Sequence, residues 1–185
     1  MAAISRNKTK IYIVNSGTNA SALTTTDLIA GEIKSYSKTG GETDTESDPV
    51  FGGYVDKEKP QTQFELQFEI VPSFDSGYRW EEMVYASKTV GTDTFYIAGG
   101  SVSDKAVFIE ANDGSGNVDA WGFNNCNVTV MDMEHNADDN QTKTLTLKFS
   151  PTDDSNISNY VYGSKQVVAS FASVTELPDW SDLTN

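Results

Sequence analysis

Residues 143–149 of this chain read Lys-Thr-Leu-Thr-Leu-Lys-Phe, with Leu145, Leu147 and Phe149 in one phase and Thr144, Thr146 and Lys148 in the other. Successive side chains of an extended chain point to opposite faces, so this pattern fits a strand with one buried and one wet face. Upstream, Cys126, Val128 and Val130 share a phase while Trp121 and Phe123 fall out of it. One residue near Asn124-Asn125 must therefore be absorbed, which predicts a β-bulge. Between the two halves, residues 135–140 read His-Asn-Ala-Asp-Asp-Asn, types that bond their own backbone in turns. The stretch 121–149 is thus expected to be a hairpin, and nothing in it has the make-up of a reaction centre.

A second alternation runs over residues 61–71. Phe64, Leu66, Phe68 and Ile70 form its apolar face, and Gln63, Glu65, Gln67 and Glu69 its polar one. Shorter strands are expected at 11–14, 28–36, 94–98 and 105–111. After Pro72, Asp75-Ser76 offers an N-cap and Trp80, Met83 and Val84 recur at helical spacing, with Lys88 and Gly91 behind them. These signals predict one amphipathic helix of about three turns. Residues 37–59 are polar and glycine-rich, so a long loop is expected there. Within it Glu42, Asp44, Glu46 and Asp48 fall on every second position and would form one acidic edge if extended. Beyond Pro151 the pattern loosens, and Val167, Val168 and Phe171 are expected to add a short strand or an arm.

With 185 residues and no internal repeat, the chain is expected to be a single domain, 1–185, with a basic arm at 1–10, the loop at 37–59 and a C-terminal arm at 152–185. The arm at 1–10 carries Arg6, Lys8 and Lys10, whereas the far end carries Glu176, Asp179 and Asp182. The net charge of -14, from 27 acids against 13 bases, excludes a basic phosphate-gripping surface. A single cysteine, Cys126, reads as a small buried thiol. Neither a signal-peptide core nor an apolar run of about 20 residues is visible, so a soluble protein without membrane contact is expected.

Enzymatic signals fail on spacing. Glu65 and Glu69 share a face, but four strand steps separate their backbones by about 13 Å, beyond the reach of a glycosidase pair. Asp138-Asp139 and Asp153-Asp154 sit in expected turns. Asn112, Asp113 and Asp119 do not follow a calcium-loop spacing, and His135 has no second His or Cys for zinc. No Gly-x-Ser-x-Gly elbow or glycine-rich phosphate loop is present. Catalytic, metal and cofactor sites are therefore expected to be none.

The order of a long-loop strand, strand 61–71, one helix, short strands and a closing Trp-Gly-Phe hairpin ending Thr-Leu-Thr-Leu-Lys-Phe-Ser-Pro151 resembles the major tail tube protein of long-tailed, siphovirus-like bacteriophages. The resemblance spans roughly residues 28–151. It implies a mainly β, β-sandwich or barrel-like tail-tube fold with one flanking α-helix and a long inter-strand loop. It further implies hexameric rings that stack into a tube in the virion tail, assembled in the host cytoplasm, with DNA passing through without specific binding. Partners would be further copies of the chain and the tape measure, tail tip and terminator proteins. On this reading Gln63, Glu65, Gln67, Glu69, Thr144, Thr146 and Lys148 line the channel. Glu42, Asp44, Glu46 and Asp48 reach a neighbour. Separately from the resemblance, the opposite charges of the two ends lead to the expectation that Arg6, Lys8 and Lys10 meet Glu176, Asp179 and Asp182 between rings. The alternatives are a tube protein of a contractile or secretion device, a carbohydrate-binding β-sandwich using Trp121, Trp80 and Tyr54 as stacking platforms, and an unrecognised hydrolase.

Overall fold

β-Branched and aromatic residues fill the strands, and their pairing is antiparallel throughout. The computed structural model describes residues 9–39, 45–50, 53–58, 65–73, 79–97, 103–135, 143–151, 160–165 and 168–183. The strands are β1 (Thr9–Asn15), β2 (Gly31–Thr39), β3 (Thr45–Val50), β4 (Gly53–Glu58), β5 (Glu65–Pro72), β6 (Ala86–Val90), β7 (Asp93–Ile97), β8 (Lys105–Asn112), β9 (Val118–His135), β10 (Lys143–Pro151) and β11 (Tyr160–Ser164). A short helix α1 (Glu81–Val84) precedes β6. Seven strands make one sheet in the order β1-β8-β9-β10-β5-β2, with β11 also on β9, while β3–β4 and β6–β7 are separate two-stranded hairpins.

The 18-residue β9 belongs to both halves of the sheet. Its first part pairs with β8 and β11, and its second part with β10. The expected bulge joins the halves. Lys105 faces Cys126 but Val107 faces Phe123, so β9 carries one residue more than β8 over this interval. Asn125 adopts φ 50°, in the left-handed region that asparagine tolerates better than most residues. A second irregularity, unforeseen in the sequence, leaves Met131 as the extra residue between Asp132, opposite Thr146, and Val130, opposite Leu147.

Two cores result. The first packs Ile11, Ile13, Val107, Ile109 and Phe123 with Leu66, Phe68 and Ile70, and adds Trp80 and Met83. The second lies on the other side of β1, β8 and β9, where Tyr12, Phe108, Val118, Ala120 and Val161 meet Phe171, Val174, Leu177 and Trp180. Residues Lys105 to Ala111 of β8 are consequently all buried. Each large apolar side chain withdrawn from water in this way contributes roughly 1.5–3 kcal/mol.

Several expectations need revision. The helix has one turn instead of three, because the segment after Tyr85 folds as the β6–β7 hairpin, with β-branched Thr89 and Val90 in β6 and Gly91 at φ 66° just beyond. Lys88 therefore lies in a strand, and the proposed cap at Asp75-Ser76 is outside the described residues. Within the expected loop 37–59, β2 continues to Thr39 and β3 pairs with β4, so Glu46 and Asp48 lie on a strand. The late strand is Tyr160–Ser164. Phe171 and the 3₁₀ turns at Val174–Glu176 and Trp180–Leu183 fold back over the second core. His135 ends β9 opposite Lys143, where a turn was expected.

Gly122 marks the tightest approach in this arrangement. A Cβ added there would lie 2.8 Å from both Phe108 Cε1 and Val161 Cγ1. Phe108 is 1% exposed and packs against Trp180 with the ring centres 5.6 Å apart, so it has little room to yield. Gly122→Ala is expected to destabilise the fold by about 1–3 kcal/mol, read as a lower urea midpoint at unchanged slope.

Candidate functional site

The register gathers polar positions from several strands onto one face. Opposite residues of an antiparallel pair share a face. On one side of β5, Ser35, Ser37 and Thr39 of β2 stand opposite Glu69, Gln67 and Glu65. On its other side Thr146 and Lys148 of β10 stand opposite Glu69 and Gln67. β10 in turn places Thr144 opposite Glu134 and Thr146 opposite Asp132. The face is hydroxyl-rich and mostly acidic, and Lys148 departs from that sign. Glu65, Gln67 and Glu69 are half-buried. Glu69 accepts from Ser35 Oγ at 3.2 Å and pairs with Lys34 at 3.5 Å. Exposed pairs of this kind contribute little to stability, so the face is shaped by pairing geometry more than by ion pairs.

Gln63, Glu42, Asp44, Arg6 and Lys8 lie outside the described residues. Lys10 Nζ donates to Glu110 Oε1 at 3.1 Å. Glu176 accepts from the Ala172 N–H at 2.5 Å, and Asp179 accepts from Ser21 Oγ at 3.2 Å. These three charges thus have partners within the same chain.

The strongest electrostatic feature was not apparent from the sequence. Glu110 is 3% exposed in the middle of β8. Its Oε2 accepts from the Val174 N–H at 2.9 Å and from Ser173 Oγ at 3.0 Å, while Oε1 takes Lys10. Desolvation is the largest single influence and works to raise its pKa. The hydrogen bonds from Val174, Lys10 and Ser173 together outweigh it and hold the carboxyl below its usual range. Glu110 therefore pins the C-terminal segment to the sheet. Only its position between apolar neighbours in a strand hinted at this, and that pattern alone names no partner.

Other buried polar groups are also tied to structure. Asn124 is fully buried at the bulge, and its Oδ1 accepts from the Gly17 N–H at 2.8 Å and from Ser16 Oγ at 3.2 Å. Lys105 donates to Asn15 Oδ1 at 2.9 Å, and burial lowers its pKa. Burial pushes the Cys126 thiol up to about 12, which makes it a poor nucleophile. Among the described residues no cluster of three His, Cys, Asp or Glu side chains is arranged for a metal, and no helix is long and apolar enough to cross a membrane.

Aromatic residues form a seam, not a platform. Trp121 lies 6.4 Å from Tyr36 and 5.6 Å from Tyr162, and Lys38 sits 4.7 Å above the Tyr160 ring. Trp80 and Trp180 are buried. A second patch went unrecognised in the sequence because residues up to Gly91 were assigned to the helix end, so the pairing of strand 94–98 with them was not foreseen: the β6–β7 hairpin exposes Val90, Phe95 and Ile97.

The fold is similar to that of solved tube-associated components of contractile injection systems. The chain is similar to a chain from the sheath-tube complex of an extracellular contractile injection system, PVC, in the extended state, with a TM-score of 0.51 at 10% identity over 88% of this chain and 92% of the other. It is similar to a chain from the sheath/tube terminator of that system, with a TM-score of 0.52 at 11% identity over 88% and 98%. A third likeness is to the tube-terminating cap of the anti-feeding prophage, with a TM-score of 0.50 at 11% identity over 89% and 93%. These three are structural components, not enzymes. No family model matches the chain, and no curated protein matches it in sequence.

The Glu110 contacts make stability depend on pH with a defined sign. Its folded pKa is depressed, so its contribution is fully present above the unfolded carboxyl value of 4.5 and is lost as pH falls through the folded value. Glu110→Gln is expected to cost about 1–3 kcal/mol at pH 7. Urea midpoints of the two proteins should converge as the pH is taken below the folded pKa of Glu110.

Proposed function

We propose that this chain is a structural subunit that polymerises into a tail tube of stacked rings, and that the polar face of β2, β5 and β10 lines its bore. The observation that carries this reading is the register, which brings Glu65, Gln67, Glu69, Thr144, Thr146 and Lys148 onto one face of a continuous sheet. The tube-type fold supports it. We take the rings to be hexameric and the tube to belong to the virion of a long-tailed bacteriophage, with DNA as cargo. Fixed carboxylates repel phosphates within the ~8 Å screening length of physiological salt, which keeps a passing polyanion from adhering.

The edge carrying Glu42, Asp44, Glu46 and Asp48 is assigned to a neighbouring subunit. Arg6 and Lys8 are assigned to Glu176, Asp179 and Asp182 across stacked rings. Lys10, which also pairs with Glu110 within its own chain, is assigned to the same contact. Tape measure, terminator and tail tip proteins are the partners this role requires.

A second reading, a tube subunit of a contractile injection device, is favoured by the systems from which the three similar structures come. A carbohydrate-binding module is disfavoured by the burial of Trp80 and the packing of Trp121 into the seam.

Negative-stain microscopy of concentrated protein should show rings or hollow rods; single particles at every concentration would overturn the proposal. Rods of the Glu65→Lys/Glu69→Lys variant should retain duplex DNA in a salt-sensitive manner, whereas wild-type rods should not. Equal retention by both would remove the bore from this face.

A further inference from the structure

The β6–β7 hairpin is hydrogen-bonded to no other strand among the described residues. Its register puts Lys88 opposite Phe95, Val90 opposite Asp93 and Ala86 opposite Ile97, so these six residues occupy one face, with Lys88 at its centre and Asp93 beside the turn. That face is open, with Val90 57%, Phe95 54% and Ile97 46% exposed. A two-stranded hairpin is marginal in water without something packed on it, so these side chains mark a docking surface.

A complementary surface lies elsewhere on the same chain. Leu28, Ile29, Ala30, Val71 and Pro72 line an open groove of about 490 Å³ between the start of β2 and the end of β5, and Glu32 stands in its wall. The groove is mainly apolar, with Ser73 in its lining and Glu32 as its one charge; the hairpin face is apolar around Lys88, with Asp93 at its turn end. We infer that the hairpin of one copy seats in this groove of the next copy, with Phe95 and Ile97 entering it and Lys88 meeting Glu32. Two different patches joined in this way make a head-to-tail contact, which generates rings or filaments. The inference rests on the tube reading and supplies one of its lateral contacts.

Two single variants, Lys88→Cys and Glu32→Cys, are mixed at assembling concentration and oxidised; the native Cys126 is buried and stays silent. A disulfide-linked dimer in the mixture, absent from either variant alone, is the expected result. Phe95→Ser should raise the concentration needed for assembly about tenfold, with an unchanged circular dichroism spectrum. Lys88→Glu and Glu32→Lys should each impair assembly, and mixing them should restore it. Self-linking of Lys88→Cys would place hairpin against hairpin and overturn the inference. Rods or rings without the mixed crosslink would overturn it while leaving the tube reading intact. Absence of assembly under all conditions would overturn both.

Discussion

Burial of β8 on both faces is the constraint to which the rest of the molecule answers. A strand surrounded by protein must find cover twice, and the chain supplies it from distant places. β5 and α1 contribute to the layer on one side, and residues 171–180 come from the far end of the sequence on the other. The one acid within this strand, Glu110, follows the same logic. A carboxylate in such a place is tolerable only when hydrogen-bonded, and its partners are the backbone of the covering segment and a lysine of the adjoining strand.

The polar face has the opposite character. Its residues are held by strand pairing, and their types, hydroxyls, amides and acids together with Lys148, repeat along the strands. The deep features lie elsewhere: the groove beside Pro72, the aromatic seam and the buried bulge are each shaped by packing.

Period-two alternation carried most of what could be read in advance. It located β5, β9 and β10, and the phase slip between Phe123 and Cys126 located the bulge, because a buried face punishes a register error at every residue. Where no alternation existed, reading failed. Trp80, Met83 and Val84 have helical spacing, but the period lasts one turn, and the β-branched residues after it take the chain into a hairpin. The folding-back of Phe171 to Trp180 could not be foreseen, since isolated apolar residues in a polar stretch do not say which surface they will cover. Glu110 was equally opaque: an acid among apolar neighbours becomes intelligible only when the groups it bonds are in place. The wet face was readable by residue type, although the role of its members depends on an assembly that one chain does not contain.

One consequence of β9 reaches beyond packing. A single covalent backbone runs from the half of the sheet beneath the C-terminal cover, through the bulge at Asn124-Asn125, into the half bearing Asp132 and Glu134. Load applied to either half of the sheet is thus passed to the other along one continuous backbone as well as through side-chain contacts.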